Sequence, residues 1–158
     1  MFSRSKCFRI LLAVLAVFAL AACGGSSQVA LNDLPVYPDA VELKEGESVI
    51  ADTLANNNQT DVAFRGQIGM GGSVEQKGFS LPAGTSWDDV KSFYDEKLKA
   101  DGWGTNSMVS GIMEQTNQGN DMFQTANWQK NKQNVTVMIL ASPMNPDEKE
   151  LILSLSSQ

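Results

Sequence analysis

The stretch SWDDVKSFYDEKLKADGW, residues 86–103, decides the fold. Ser86 is a strong helix N-cap, and Asp89 stands three positions on, where its carboxylate meets unpaired N–H groups and the positive helix end. Trp87, Val90, Tyr94 and Leu98 recur at helical spacing and make one apolar stripe, widened by Phe93. Gly102 supplies the stop, because glycine takes the left-handed turn without a Cβ clash. Trp103 is expected to fold back onto the stripe. The pattern predicts an amphipathic helix over 86–101 that must bury its stripe against another layer.

That layer is sought in the flanking sequence. Downstream, Phe123 to Lys130 reads as a strand, and Asn131 to Asn134 is a polar turn. Val135, Val137 and Ile139 then alternate with Thr136 and Met138, as a half-buried strand does. Pro143 to Asp147 is a loop, and Leu151, Leu153 and Leu155 alternate again to close the sheet. Upstream, Pro35 to Ala40 is an extended opening, Val41 and Leu43 form a short strand, and Lys44 to Glu47 turns. Ser48 to Asn56 fits one helical face, which the asparagine run 56–58 is expected to end. Val62 to Ile68 reads as a strand. Gly69-Met70-Gly71-Gly72 precedes the strand-like residues 73–79, so a turn is favoured over a phosphate loop, which needs a following helix. Asn106 to Gln118 makes a second short helix, weakened by Gly111. The expected class is α+β: an antiparallel sheet packed by one main helix, about 86–101, with one or two short additional helices.

The first residues are of another kind. Met1 to Arg9 is basic, Ile10 to Leu20 is an unbroken apolar run, and Ala21 and Ala22 are small. This order is that of a secretory signal, and the run is too short to span about 30 Å of hydrocarbon. Leu20-Ala21-Ala22-Cys23 resembles the lipobox of bacterial lipoproteins. The resemblance implies cleavage after Ala22, a diacylglycerol on the Cys23 thiol and a mature chain that begins there. Gly24 stands where some members carry an inner-membrane retention aspartate. In an organism with two membranes, the resemblance therefore favours the outer one. Residues 23–33 are expected to be a lipidated flexible tether, and 34–158 a single α+β domain.

Composition narrows the chemistry. The chain has two cysteines and no histidine. Without Cys7 and Cys23 no thiol is left for a disulfide, and histidine-dependent triads and the usual zinc sites are excluded. Of the 12 basic residues, Arg4, Lys6 and Arg9 belong to the signal, which leaves nine against 18 acidic ones, a mature charge of −9. So negative a domain is a poor partner for nucleic acid or anionic lipid. The carboxylate pairs Asp88-Asp89, Asp95-Glu96 and Asp147-Glu148 lie on a polar helix face or in a loop, where solvation is favoured over catalysis. No cofactor and no metal is expected.

Two side-chain groups are open to more than one reading. Trp87, Phe93, Tyr94 and Trp103 suit core packing, with a sugar-stacking platform as the alternative. Met108, Val109, Ile112 and Met113, with Met122 nearby, suit core packing, a methionine-rich partner surface, or copper(I) held by thioethers.

A second resemblance spans most of the mature domain. The opening Val36-Tyr37-Pro38-Asp39-Ala40, the run Phe93-Tyr94…Leu98…Gly102-Trp103 and the closing strands resemble a group of uncharacterised small bacterial lipoproteins. That group shows a Tyr-Pro-Gly-Ala-like opening, with Asp39 here in place of the glycine. It implies the fold and carries no catalytic residue across. The expected function is that of a membrane-anchored, extracytoplasmic, non-enzymatic accessory or interaction lipoprotein. Its expected partners are the membrane, through the lipid at Cys23, and another envelope or membrane protein. The alternative is a small-ligand carrier or sensor with a pocket between sheet and helix. Candidate interaction or ligand residues are Trp87, Tyr94, Trp103, Met108, Met113 and Trp128.

Overall fold

The computed structural model describes residues 28–68, 72–120, 122–142, 145 and 148–158, with the backbone alone at 61–68. The signal 1–22, Cys23, most of the loop Gly69–Gly72 and most of Pro143–Asp147 lie outside the described residues. Five strands form one sheet: β1 (Val41–Glu42), β2 (Ser73–Ser80), β3 (Phe123–Lys130), β4 (Gln133–Ala141) and β5 (Lys149–Ser157). Their spatial order is β1-β2-β5-β4-β3, and every neighbouring pair is antiparallel. Among the described residues three α-helices accompany them: α1 (Val49–Ile68), α2 (Trp87–Ala100) and α3 (Ser107–Asn117). The class is α+β with an antiparallel sheet.

Helix α2 forms as its sequence dictates. The Ser86 hydroxyl accepts from the Asp89 N–H at 3.2 Å, and Asp89 accepts back from the Ser86 N–H at 3.3 Å. The Ser86 hydroxyl also donates to the Asp89 carboxylate, and this bond first, with the Ser86 N–H bond second, holds the carboxyl below its usual range. At the other end Gly102 has φ +82°, and the Trp103 N–H reaches the Leu98 carbonyl at 2.9 Å while the Gly102 N–H reaches Lys99 at 3.0 Å. This is the paired bonding of a Schellman stop, and it turns Trp103 back onto the core.

The stripe then meets one face of the sheet. Val90, Tyr94 and Leu98 are fully buried and Trp87 nearly so. They pack with Val135, Val137 and Ile139 of β4, Leu151, Leu153 and Leu155 of β5, Phe79 of β2, and Ala126 and Trp128 of β3. Cross-strand register places these strand residues on a common face: Trp128 pairs with Val135, which pairs with Leu155. Phe93 bridges Tyr94 and Tyr37 by edge-to-face contacts, with ring centroids 5.1 and 5.4 Å away. Burial raises the Tyr94 phenol well above its ordinary range. The Tyr37 main chain approaches that hydroxyl and opposes the shift, without reaching hydrogen-bond geometry.

Three expectations change. The residues read as a helix at 48–56 and a strand at 62–68 form one helix of 20 residues, α1. The asparagine run does not end it, because its last member, Asn58, is held by the neighbouring strand. Asn58 donates to the Gln76 carbonyl at 3.2 Å, and the Thr53 and Thr60 hydroxyls fold back onto the carbonyls four residues earlier. The additional helices are thus not all short, since α1 is longer than α2. It covers the sheet face opposite the main core, over β2. A Cβ on Gly78 would stand 3.2 Å from Leu54 Cδ1, so glycine lets the helix approach. Ser48 caps α1 by accepting from the Ala51 N–H, and its hydroxyl also donates to the buried Glu150 of β5.

The third change is at the start of the domain. Val29 lies inside the residues expected to be tether, yet it is stitched to Gln133 of β4 by two hydrogen bonds of 2.9 and 2.8 Å. Leu31, the first residue of a 3-10 turn at Leu31–Asp33, and Leu34, which follows the turn, are both buried. A polar composition conceals this, because two leucines and one distant glutamine do the anchoring. The Tyr37–Ala40 turn follows, closed by the Ala40 N–H on the Tyr37 carbonyl at 3.1 Å. Pro38 precedes Asp39, whose φ of +59° is the left-handed value that the glycine of the resembling group would take freely.

Two substitution pairs check this account in urea unfolding. Asp39→Ala should lower stability by about 1 kcal/mol, and Asp39→Gly by less, because only the first keeps a Cβ without the local hydrogen bonding of Asp. An equal loss from both would remove the strain argument. Leu98→Ala should cost about 2–5 kcal/mol as a core truncation. Tyr94→Phe, which removes a hydroxyl without a partner, should be neutral or stabilising by up to ~1 kcal/mol. A clear loss from the phenylalanine would reveal a hydrogen bond that the geometry lacks.

Candidate interaction face

Helix α3 closes the β3 edge of the sheet. Its N-cap is Asn106, whose Oδ1 accepts from the Met108 and Val109 N–H groups at 3.1 and 3.4 Å. Its last residue, Asn117, clamps the outer edge of β3: the Thr125 N–H donates to Asn117 Oδ1 and Asn117 Nδ2 donates to the Thr125 carbonyl, both at 2.9 Å. One amide thus takes the place of a neighbouring strand. Four residues along, Gly104 makes the same pair of bonds with Gln129, at 2.9 and 2.7 Å. An exposed edge is a template for unwanted strand pairing, and these two clamps occupy it.

The clamps decide which way α3 faces. Ser110, Met113 and Asn117 are half-buried towards β3, and no residue of the helix is fully buried. Met108, Val109 and Ile112 therefore point away, 76%, 37% and 63% exposed, and Met122 is 73% exposed. The favoured expectation that Met108, Val109 and Ile112 fill the core is corrected here. The helix is held by polar bonds to a strand edge, so its apolar residues are left on the outside.

The aromatic candidates behave in the opposite way. Trp87, Tyr94, Trp103 and Trp128 are all buried in the main core, which leaves no ring face for a ligand to stack on. They are brought together, but by packing. Of the six candidate residues only Met108 is freely exposed, and Met113 lies between α3 and β3.

A cavity of mixed lining, about 120 Å³, lies between α2, α3 and β3, walled in part by Lys91, Asp95, Met113, Glu114, Asn127 and Trp128. Asp95 organises it. Its carboxylate accepts from Lys91 Nζ at 2.9 Å and from Trp128 Nε1 at 3.0 Å, and Lys99 Nζ stands 3.6 Å away. Burial pushes this carboxyl up, but the Lys91 and Trp128 hydrogen bonds and the two lysine charges outweigh it, and the net shift is downward. Asp95 was legible only as a solvated carboxylate; its tie to Trp128, 33 residues away, has no local signal. At the far end of the sheet a cavity of about 540 Å³ is lined by Glu47, Ser48, Glu148 and Glu150 among others. Among the described residues no group of three or more His, Cys, Asp and Glu side chains is arranged to hold a metal ion. No helix among them is long and apolar enough to cross a membrane.

No family model, no curated protein and no solved structure matches this chain.

The Asp95 contact has a measurable consequence. Asp95→Ala leaves the buried Trp128 N–H without an acceptor and should cost about 1–3 kcal/mol, whereas Asp95→Asn keeps an oxygen there and should cost less. Because the folded carboxyl titrates below its unfolded value, its stabilising share is present above the unfolded pKa near ~3.9 and is lost as pH falls through the lower folded value. Stability curves of wild type and Asp95→Asn should therefore converge in that acid range. Parallel curves down to full protonation would refute the assignment.

Proposed function

We propose that the chain is a lipid-anchored extracytoplasmic lipoprotein whose single domain is a non-enzymatic accessory or interaction module, working against another envelope or membrane protein. The observation that carries the interaction reading is the outward apolar face of α3, where Met108 and Ile112 are mostly exposed on a helix with no buried residue. Methionine is flexible and polarisable and suits a surface that adapts to a partner. The anchor reading is supported by Leu20-Ala21-Ala22-Cys23 behind an apolar run with a basic start. Two acyl chains hold a protein on a bilayer where one does not. Gly24 favours the outer membrane where there are two.

The non-enzymatic reading is supported by what the candidate carboxylates do. Asp89 is engaged by its own helix cap, and Asp95 by Lys91 and Trp128. In the same reading α2 is the principal helix of the fold, because its stripe puts Trp87, Val90, Tyr94 and Leu98 into the main core.

Growth with a fatty-acid analogue tests the anchor. Wild-type chain should take up label and show an intact mass that begins at an acylated Cys23, and Cys23→Ala should take up none. An unmodified thiol on native protein would overturn the anchor. Affinity purification from solubilised membranes tests the module, and a strictly lone monomer at native abundance would count against it.

A further inference from the structure

The point where the chain enters the fold lies at the same end of the sheet as the first turn of α3. Val29 is bonded to Gln133, Gln133 pairs with Lys130, and the neighbouring Gln129 pairs with Gly104, just before the α3 cap. Only residues 24–28 separate Cys23 from Val29. Fully extended, that length reaches roughly 20 Å, less than the long axis of the sheet, about 30 Å for the nine residues of β4. A lipid on Cys23 would therefore hold this end of the domain close to the bilayer.

Charge divides along the same axis. The end near Val29 carries Lys97 and Lys99 in the last turn of α2, and Lys130 and Lys132 at the β3–β4 turn, against Asp33, Glu75, Glu96 and Asp101, so its charges balance. At the opposite end residues 39–52 hold five carboxylates and one lysine, and Asp88, Asp89, Glu148 and Glu150 add four more, against Lys149 and Lys77, which pairs with Glu42. Screening limits exposed charges to about 8–10 Å at physiological salt, so the acidic end does not govern what the lysine-bearing end meets. The apolar residues Met108, Val109 and Ile112 start from that same end, exposed.

We propose that the α3 edge and the β3–β4 turn rest on the membrane, with Met108, Val109 and Ile112 set among the lipid headgroups, the lysines near anionic phosphates and the acidic end turned outward. The inference rests on the anchor reading and gives the outward face of α3 to the bilayer instead of to a protein partner; the closing measurement separates the two, because protein-free vesicles slow exchange there only if lipid is the occupant. The net charge of −9 argued against anionic lipid for the chain as a whole. The tertiary arrangement gathers the carboxylate excess at the far end and leaves this end balanced.

The test uses the chain from Cys23 onward, which retains every residue of the described core. Its single thiol is coupled to a maleimide lipid in vesicles containing phosphatidylglycerol, so the outcome does not depend on lipidation in the cell. Amide hydrogen exchange is compared with the same chain coupled to a soluble maleimide. Exchange at 107–113 and 130–133 should slow about threefold or more on vesicles, with no change at 45–48. Met108→Gln with Ile112→Gln, both at exposed positions, should abolish the α3 protection and leave the fold intact. Lys97→Glu with Lys132→Glu should weaken it on anionic vesicles. Equal exchange with and without vesicles, or protection at 45–48 instead, would overturn the orientation. An unacylated Cys23 in cells would sink the anchor and leave this measurement standing on its own.

Discussion

Strand β5 is the constraint on which the rest of the molecule depends. It is the last strand of the chain, yet it lies between β2 and β4 and pairs with both along most of its length. β1, β2 and α1 sit on one side of it, and β4, β3 and α3 on the other. Leu151, Leu153 and Leu155 are at most 3% exposed and form the middle of the core that α2 covers. The pairing of β2 with β5 spans about 75 residues of sequence, so loop-closure entropy must be overcome before the sheet is complete. The apolar burial gained on both flanks of β5 is what opposes that entropy.

From this centre the two edges are finished differently. β1 has only two residues, and a very short edge strand offers little to pair with. β3 has eight, and it is blocked by Gly104 and by the Asn117 amide. Blocking the edge with polar groups fixes the rotation of α3, and that rotation exposes Met108 and Ile112. A solution to the edge problem thus creates the apolar face. Asp95 joins the same region to the core, since it accepts from the indole of the buried Trp128 while holding Lys91. The candidate surface is therefore braced on its inner side and bare on its outer side.

Much of the fold was legible. The α2 stripe, its Ser86 cap and its Gly102 stop are local features of spacing and residue type. The alternation at 135–139 and 151–155 is equally local. The continuation of α1 through its asparagines was not legible, because it rests on Asn58 reaching a strand 18 residues on. Nor was the ordering of 29–34, which rests on Gln133, 104 residues from Val29. The methionine segment was read correctly as a helix, and whether its apolar side met the core or a partner was left open. Periodicity gives the angle between apolar residues but not which way the set points.

By itself the sequence determined the absence of histidine chemistry, the α+β class and the apolar stripes of α2, β4 and β5. Each follows from composition or from spacing within one element, which a chain carries before it folds. Only the tertiary structure decided the central place of β5, the bonding of Val29 to Gln133, the outward face of α3 and the gathering of carboxylates at one end of the sheet. Those depend on hydrogen bonds and packing between residues tens of positions apart, whose geometry exists only once the sheet has closed.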